Sequence, residues 1–70
     1  MRHYKKSTIT VAGVITTKIE MWDEHNHAAV YNDNVLVFDG YRSEACKVFN
    51  SEVKKVCDAA TACGLPYIVK

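Results

Sequence analysis

Between Ser7 and Trp22 the chain alternates. Ile9, Val11, Gly13, Ile15, Thr17, Ile19 and Met21 hold the odd positions, against Thr8, Thr10, Ala12, Val14, Thr16, Lys18, Glu20 and Trp22 on the even ones. A stretch this rich in β-branched residues with a period of two is β-structure, because successive side chains of a strand point to opposite faces. Two arrangements satisfy it. A two-residue turn at Ala12-Gly13 pairs Val11 with Val14 and sends Ile15 to the face opposite Ile9. A chain running straight through, with Gly13 as a bend or bulge, keeps the alternation cleaner and is the preferred reading.

An unbroken strand of that length approaches about 50 Å, at about 3.3 Å per residue. The short strands that follow span only about 17 Å. The uncovered remainder of such a strand pairs most simply with another copy of the chain. On this reading Ile9, Val11 and Ile15 form a self-association surface, and the protein is a homodimer through its first strand.

The rest of the chain divides readily. Asp23 to Asn26 is a polar turn, Ala28–Asn32 a short strand, and Asp33-Asn34 a pair that tolerates left-handed backbone. Val35–Asp39 is the next strand, with Tyr31 facing Leu36 and Val30 facing Val37. Both faces of this hairpin are therefore apolar, and one is left less covered than the other. Ser43 is the expected N-cap of a long helix, with Glu44 in its first turn near the positive end of the dipole. At 100° per residue Ala45, Phe49, Val53, Val56, Ala60 and Cys63 form one stripe flanked by Cys46 and Cys57. Lys47, Asn50, Ser51, Lys54, Lys55 and Asp58 lie opposite. Gly64 suits the position after the helix and Pro66 forbids its continuation. Tyr67–Val69 then closes the sheet, parallel to the first or third strand.

The expected fold is thus a single α+β domain over residues 1–70. It is a two-layer β-β-β-α-β arrangement, a mostly antiparallel sheet with one long amphipathic helix packed on one face. This order is similar to the first half of ribonuclease H-like folds and to small antitoxin-type domains. Nucleases of the first kind hold Mg²⁺ with carboxylates on the first strand, the helix and the fourth strand. Here the first strand offers only Glu20, near its end, and Leu65–Lys70 contains no acid. The likeness therefore implies topology and no nuclease.

Several functional classes recede on composition and spacing. Nine Lys and Arg against eight Asp and Glu give a net charge of +1, too balanced for a surface that grips nucleic acid everywhere. The basic start at Met1 to Lys6 and the apolar Ile9–Ile15 stretch, broken by Thr10 and Gly13, read as mature protein rather than a signal peptide. The three cysteines, at 46, 57 and 63, are odd in number and too far apart along one helix to bond, and their spacings fit no zinc pattern. Reduced thiols imply a cytoplasmic protein. The topology gathers Asp23, Glu24, His25, His27, Asp39, Arg42 and Glu44 at one end, with Arg42 expected to pair with Asp39 or Glu44. None of these has the spacing of a metal site, and Ser7, Ser43 and Ser51 lack an activating context, so no cofactor, no metal and no catalysis are expected.

What is left is binding. Glu20 to Asp39 holds Glu20, Asp23, Glu24, Asp33 and Asp39 and not one Lys or Arg. With the aromatics Trp22 and Tyr31, this acidic hairpin suits a basic protein partner. The expected protein is a small non-enzymatic regulator or inhibitor that binds another protein through Trp22, Asp23, Glu24, Tyr31, Asp33 and Asp39. The alternative is a nucleic-acid binder using Arg2, Lys5, Lys6, Lys47, Lys54 and Lys55.

Overall fold

The structure is a computed structural model in which residues 3–70 are described. Strands β1 (His3–Val11), β2 (Val14–Trp22), β3 (His27–Asn32) and β4 (Val35–Tyr41) precede the helix α1 (Arg42–Ala62), and β5 (Tyr67–Val69) follows it. The strands form one antiparallel sheet in the order β4-β3-β2-β1-β5, and α1 packs across one face. The α+β two-layer class inferred from the sequence is the class observed.

The long first strand is corrected. Ala12 and Gly13 turn with φ of 49° and 83°, and Val11 pairs with Val14. Positive φ at both central residues is the geometry of a two-residue hairpin, whose twist matches that of its strands. Folding back satisfies the ladder of β1 along its whole length, from His3 opposite Trp22 to Val11 opposite Val14. A straight strand would leave those groups without partners.

This one turn has two consequences. It adds a chain reversal, so β5 meets β1 antiparallel, Ile9 opposite Val69 and Val11 opposite Tyr67, where a parallel closing strand was expected. It also exchanges the faces of β2, because shifting a strand's sense by one residue moves every side chain across the sheet. Lys18 and Glu20 now lie beneath the helix, 2% and 3% exposed, beside Ile9 of β1 and Val30 of β3. Ile15, Ile19 and Met21 point the other way.

The covered side holds the core. Ala28, Val30, Ala45 and Phe49 are buried together, with Trp22, Phe38, Val48 and Val53 packed at their margin. Two buried charges, Lys18 and Glu20, lie beside this cluster. The Lys18 ammonium donates to Asn32 Oδ1 at 2.6 Å. Glu20 sits in the cross-strand row between Lys5 and Val30. Lys5 itself lies over the Phe49 ring, its Nζ 4.9 Å from the centroid.

The remaining connections follow local chemistry. Asp33 and Asn34 both adopt positive φ, as their residue types allow. Tyr31 faces Leu36 as expected, but Val37 bulges, so Val30 faces Phe38 instead. The Phe38 ring then lies over Gly40, where a Cβ would come within 2.9 Å of it. The helix starts one residue before Ser43, with Tyr41 at the N-cap and no side-chain cap. Its first N–H, that of Arg42, donates to the Asn26 carbonyl at 2.8 Å, so the β2–β3 turn caps α1. At the other end Gly64 takes φ of 69°, its N–H reaches the Thr61 carbonyl and that of Leu65 reaches Ala60. Those two bonds are a Schellman closure. Cys63 therefore caps the helix and is exposed, outside the buried stripe where the wheel placed it, and the cysteines at 46, 57 and 63 are free thiols.

Ala12 is the awkward residue of the β1–β2 turn, since a Cβ disfavours left-handed backbone. Ala12→Asn creates the Asn-Gly pair favoured in such turns and should raise stability by about 0.5–1 kcal/mol, a few degrees in Tm. A thermal melt followed by circular dichroism that is unchanged or lowered would contradict the turn. Ile9, wholly buried, gives the converse case. Ile9→Ala should cost about 2–5 kcal/mol, close to the whole stability of a domain this small. Its urea midpoint should fall near zero.

Candidate functional site: the open face of the sheet

Cross-strand partners share a face, so the pairing spells out the surface opposite the helix. One row runs Tyr4, Met21, Ala29, Asp39, and the next Lys6, Ile19, Tyr31, Leu36. Beyond them Thr8 faces Thr17, and Ile15 faces Thr10, which in turn faces Ile68. Tyr41 lies opposite His27 at the other end. Tyr4 and Tyr41 are 70% exposed, Ile15 63% and Leu36 50%. Among the described residues nothing covers this face.

A depression of about 100 Å³ opens there, lined by Met21, Trp22, His27, Ala28, Ala29, Tyr31, Leu36 and Asp39. The His27 imidazole meets the Asp39 carboxylate there at 2.8 Å, both side chains more than half exposed. Asp39 lies directly across the β3–β4 pair from Ala29, and the small Ala29 leaves room for the depression. The face is thus aliphatic at its centre, aromatic along its margins and ionic at two sides.

The acids and aromatics expected to bind a partner are dispersed, and several serve the fold. The Asp23 carboxylate accepts the backbone N–H groups of His25 and His27 at 2.9 and 3.0 Å, closing the β2–β3 turn around Asn26. Asp33 Oδ1 accepts the Thr17 N–H at 2.8 Å, fastening the β3–β4 turn to β2. Trp22 is on the helix side, half-buried, with the Arg42 guanidinium over its ring at 4.3 Å and the His3 ring stacked with it at 6.0 Å. Arg42 therefore stacks on Trp22, where an ion pair with Asp39 or Glu44 was expected. Glu24 is largely exposed, 3.9 Å from His25. Only Tyr31 and Asp39 of that set share the open face.

The self-association residues separate in the same way. Ile9 is a core residue, and β5 occupies the edge of β1 from Ile9 to Val11. A strand-edge dimer through Ile9 and Val11 is therefore excluded by the chain's own closing strand. Ile15 alone is exposed on the open face. The lysines do not converge either. Lys5 points to the helix side and Lys6 to the open face, because neighbours in a strand alternate. Lys47, Lys54 and Lys55 are exposed on α1, across the molecule from Lys6. Arg2 lies outside the described residues.

Ile19, Met21, Leu36 and Tyr4 were not singled out from the sequence. For Ile19 and Met21 the signal was present in the odd positions of β2, legible once Gly13 is taken as a turn. Among the described residues no three His, Cys, Asp or Glu groups converge on a point where a metal ion could sit, and no helix is long and apolar enough to cross a membrane. Comparison with protein families, curated proteins and solved structures finds no match.

The Asp23 carboxyl titrates below the ordinary aspartate value, chiefly because the His27 N–H bonds its charged form, against a smaller opposing effect of desolvation. A carboxylate with a depressed folded value adds stability at pH above its unfolded value and loses it as pH falls through the folded one. Acid unfolding followed by Trp22 fluorescence should therefore be steeper in the native chain than in Asp23→Asn. Superimposable acid limbs would contradict the turn's role.

Proposed function

We propose that this protein is a small, non-enzymatic interaction domain that binds another protein through the open face of its sheet, acting as a regulator or inhibitor in the cytoplasm. One observation supports the reading above the others. The apolar residues of β2, Ile15, Ile19 and Met21, point away from α1, while two charged residues of the same strand are buried under it. A strand normally buries its apolar side against its own core. A large exposed apolar surface rimmed by polar groups is the usual signature of a macromolecular contact.

The chemistry of the face fits a protein better than a nucleic acid. Its centre is aliphatic, Asp39 lies on it, and the lysines on the helix are turned elsewhere. Phosphate binding draws on clustered basic side chains, and the exposed Tyr4 and Tyr41 and the half-buried Tyr31 are not interleaved with such a cluster. Tyrosines with adjoining aliphatic residues are the usual anchors of protein interfaces.

Leu36 tests this directly, because it is half exposed on an edge strand where Lys is well tolerated. Tagged native chain and Leu36→Lys are used to capture partners from host lysate, with and without nuclease. The native chain should retain a stoichiometric protein resistant to nuclease, and the variant, with an unchanged circular dichroism spectrum, should lose it about tenfold. Retention that is indifferent to Leu36→Lys and abolished by nuclease would overturn the reading.

A further inference from the structure

A separate groove lies on the helix side of the sheet, and we propose that it binds an aliphatic monocarboxylate, a molecule of the fatty-acid class. The site is independent of the open face and of the interaction reading above. It runs between the second half of α1 and the β1–β2 hairpin and has a volume of about 510 Å³, within the roughly 300–1,000 Å³ of small-molecule sites.

The groove holds a buried charge that has no counter-charge. Lys18 lines it and is 2% exposed. Its ammonium can donate several hydrogen bonds, and one goes to the neutral amide oxygen of Asn32 at 2.6 Å. Among the described residues no carboxylate lies within ion-pair distance of it. Glu52, the acid that lines the groove, is held by Lys55 at 3.6 Å. Glu20, two residues along β2, lies across from Lys5. A buried ammonium without an anion is costly, and a carboxylate in the groove would supply the missing charge and accept its remaining hydrogen bonds.

The rest of the lining narrows the ligand. Val11, Val56, Ala59 and Ala60 form aliphatic walls, and Val14 and Leu65 remain 67% and 42% exposed beside them. An alkyl chain laid there removes its own apolar surface and theirs from water. The Thr16 hydroxyl, also in the lining, is already bonded to the Ile9 carbonyl at 3.3 Å. Among the described residues no aromatic ring lines the groove, so a planar base has nothing to stack on. Two ammonium groups, Lys18 and Lys55, stand against the single carboxylate of Glu52. That balance suits a singly charged head. A phosphate dianion would exceed it and would also lie near the negative end of the α1 dipole.

Decanoate, decanol and decylamine are titrated separately into the isotopically labelled full chain, and amide shifts are followed by NMR. Decanoate should saturate with a Kd below about 1 mM and move Val14, Lys18, Val56 and Leu65, whereas decanol and decylamine should bind at least about tenfold more weakly. Lys18→Met keeps the length of the side chain without its charge, and should weaken decanoate about tenfold or more with an unchanged circular dichroism spectrum. Ala59→Trp fills the groove from an exposed helical position with Lys18 intact, and should give the same loss even if the Lys18 variant does not fold. Leu36→Lys, on the opposite face, should bind decanoate as the native chain does. Absence of saturation, equal binding of decanol, shifts centred on Ile19 and Leu36, or native affinity in a folded groove variant overturns the site. Those results leave the open face untouched, since protein capture there is read through Leu36→Lys alone.

Discussion

One helix covers one face of a sheet, and the described residues contain one helix. That constraint organises the molecule. The α1 helix packs on Ala28, Val30 and Ile9 and shields a strip of Ser7, Lys18 and Glu20 beside them. The opposite face has Tyr4, Ile15, Ile19, Met21, Tyr31, Leu36 and Ile68 and no second layer. A domain of 70 residues rarely gains more than about 3–5 kcal/mol from its own core. Leaving that much apolar surface in water withholds roughly 25 cal/mol for each Å² not buried.

The buried charges belong to the same economy of faces. Lys18 and Glu20 are costly to desolvate and are retained with few strong partners, Lys18 on Asn32 and Glu20 beside Lys5. Exchanging the faces of β2 would put Ile19 and Met21 in the core and return both charges to water. It would also dissolve the open face. The observed arrangement keeps both charges under the helix and the apolar side of β2 away from it.

Much of this could be read from the sequence, and the failures share a cause. The helix, its Gly64-Pro66 stop, the Asp33-Asn34 turn, the contact of Tyr31 with Leu36 and the single covered face were all legible, because each depends on local chemistry or simple periodicity. The end that gathers the Asp23–His27 turn, Asp39 and the helix start was legible too. Ala12-Gly13 was not, since Ala is a poor residue for positive φ and the flanking alternation runs on through it. From that single misreading follow the extra strand, the sense of β5 and the assignment of Ile9 to an interface. Asp23, Asp33 and Trp22 were misplaced for a different reason. Composition identifies acids and aromatics suited to recognition, but only geometry shows that two carboxylates close turns and that the indole stacks with Arg42 and with His3.

The central claim is that β2 turns its apolar side away from the helix. It is tested by methyl-resolved NMR with a soluble paramagnetic agent, at a concentration low enough for single chains. Ile9 and Val30 methyls should be shielded from the agent, whereas those of Ile15, Leu36 and Ile68 relax strongly and that of Ile19 to an intermediate degree. Shielded Ile15, Ile19 and Leu36 methyls in a single chain, with a relaxed Ile9, would mean that β2 faces the other way and that no open apolar face exists.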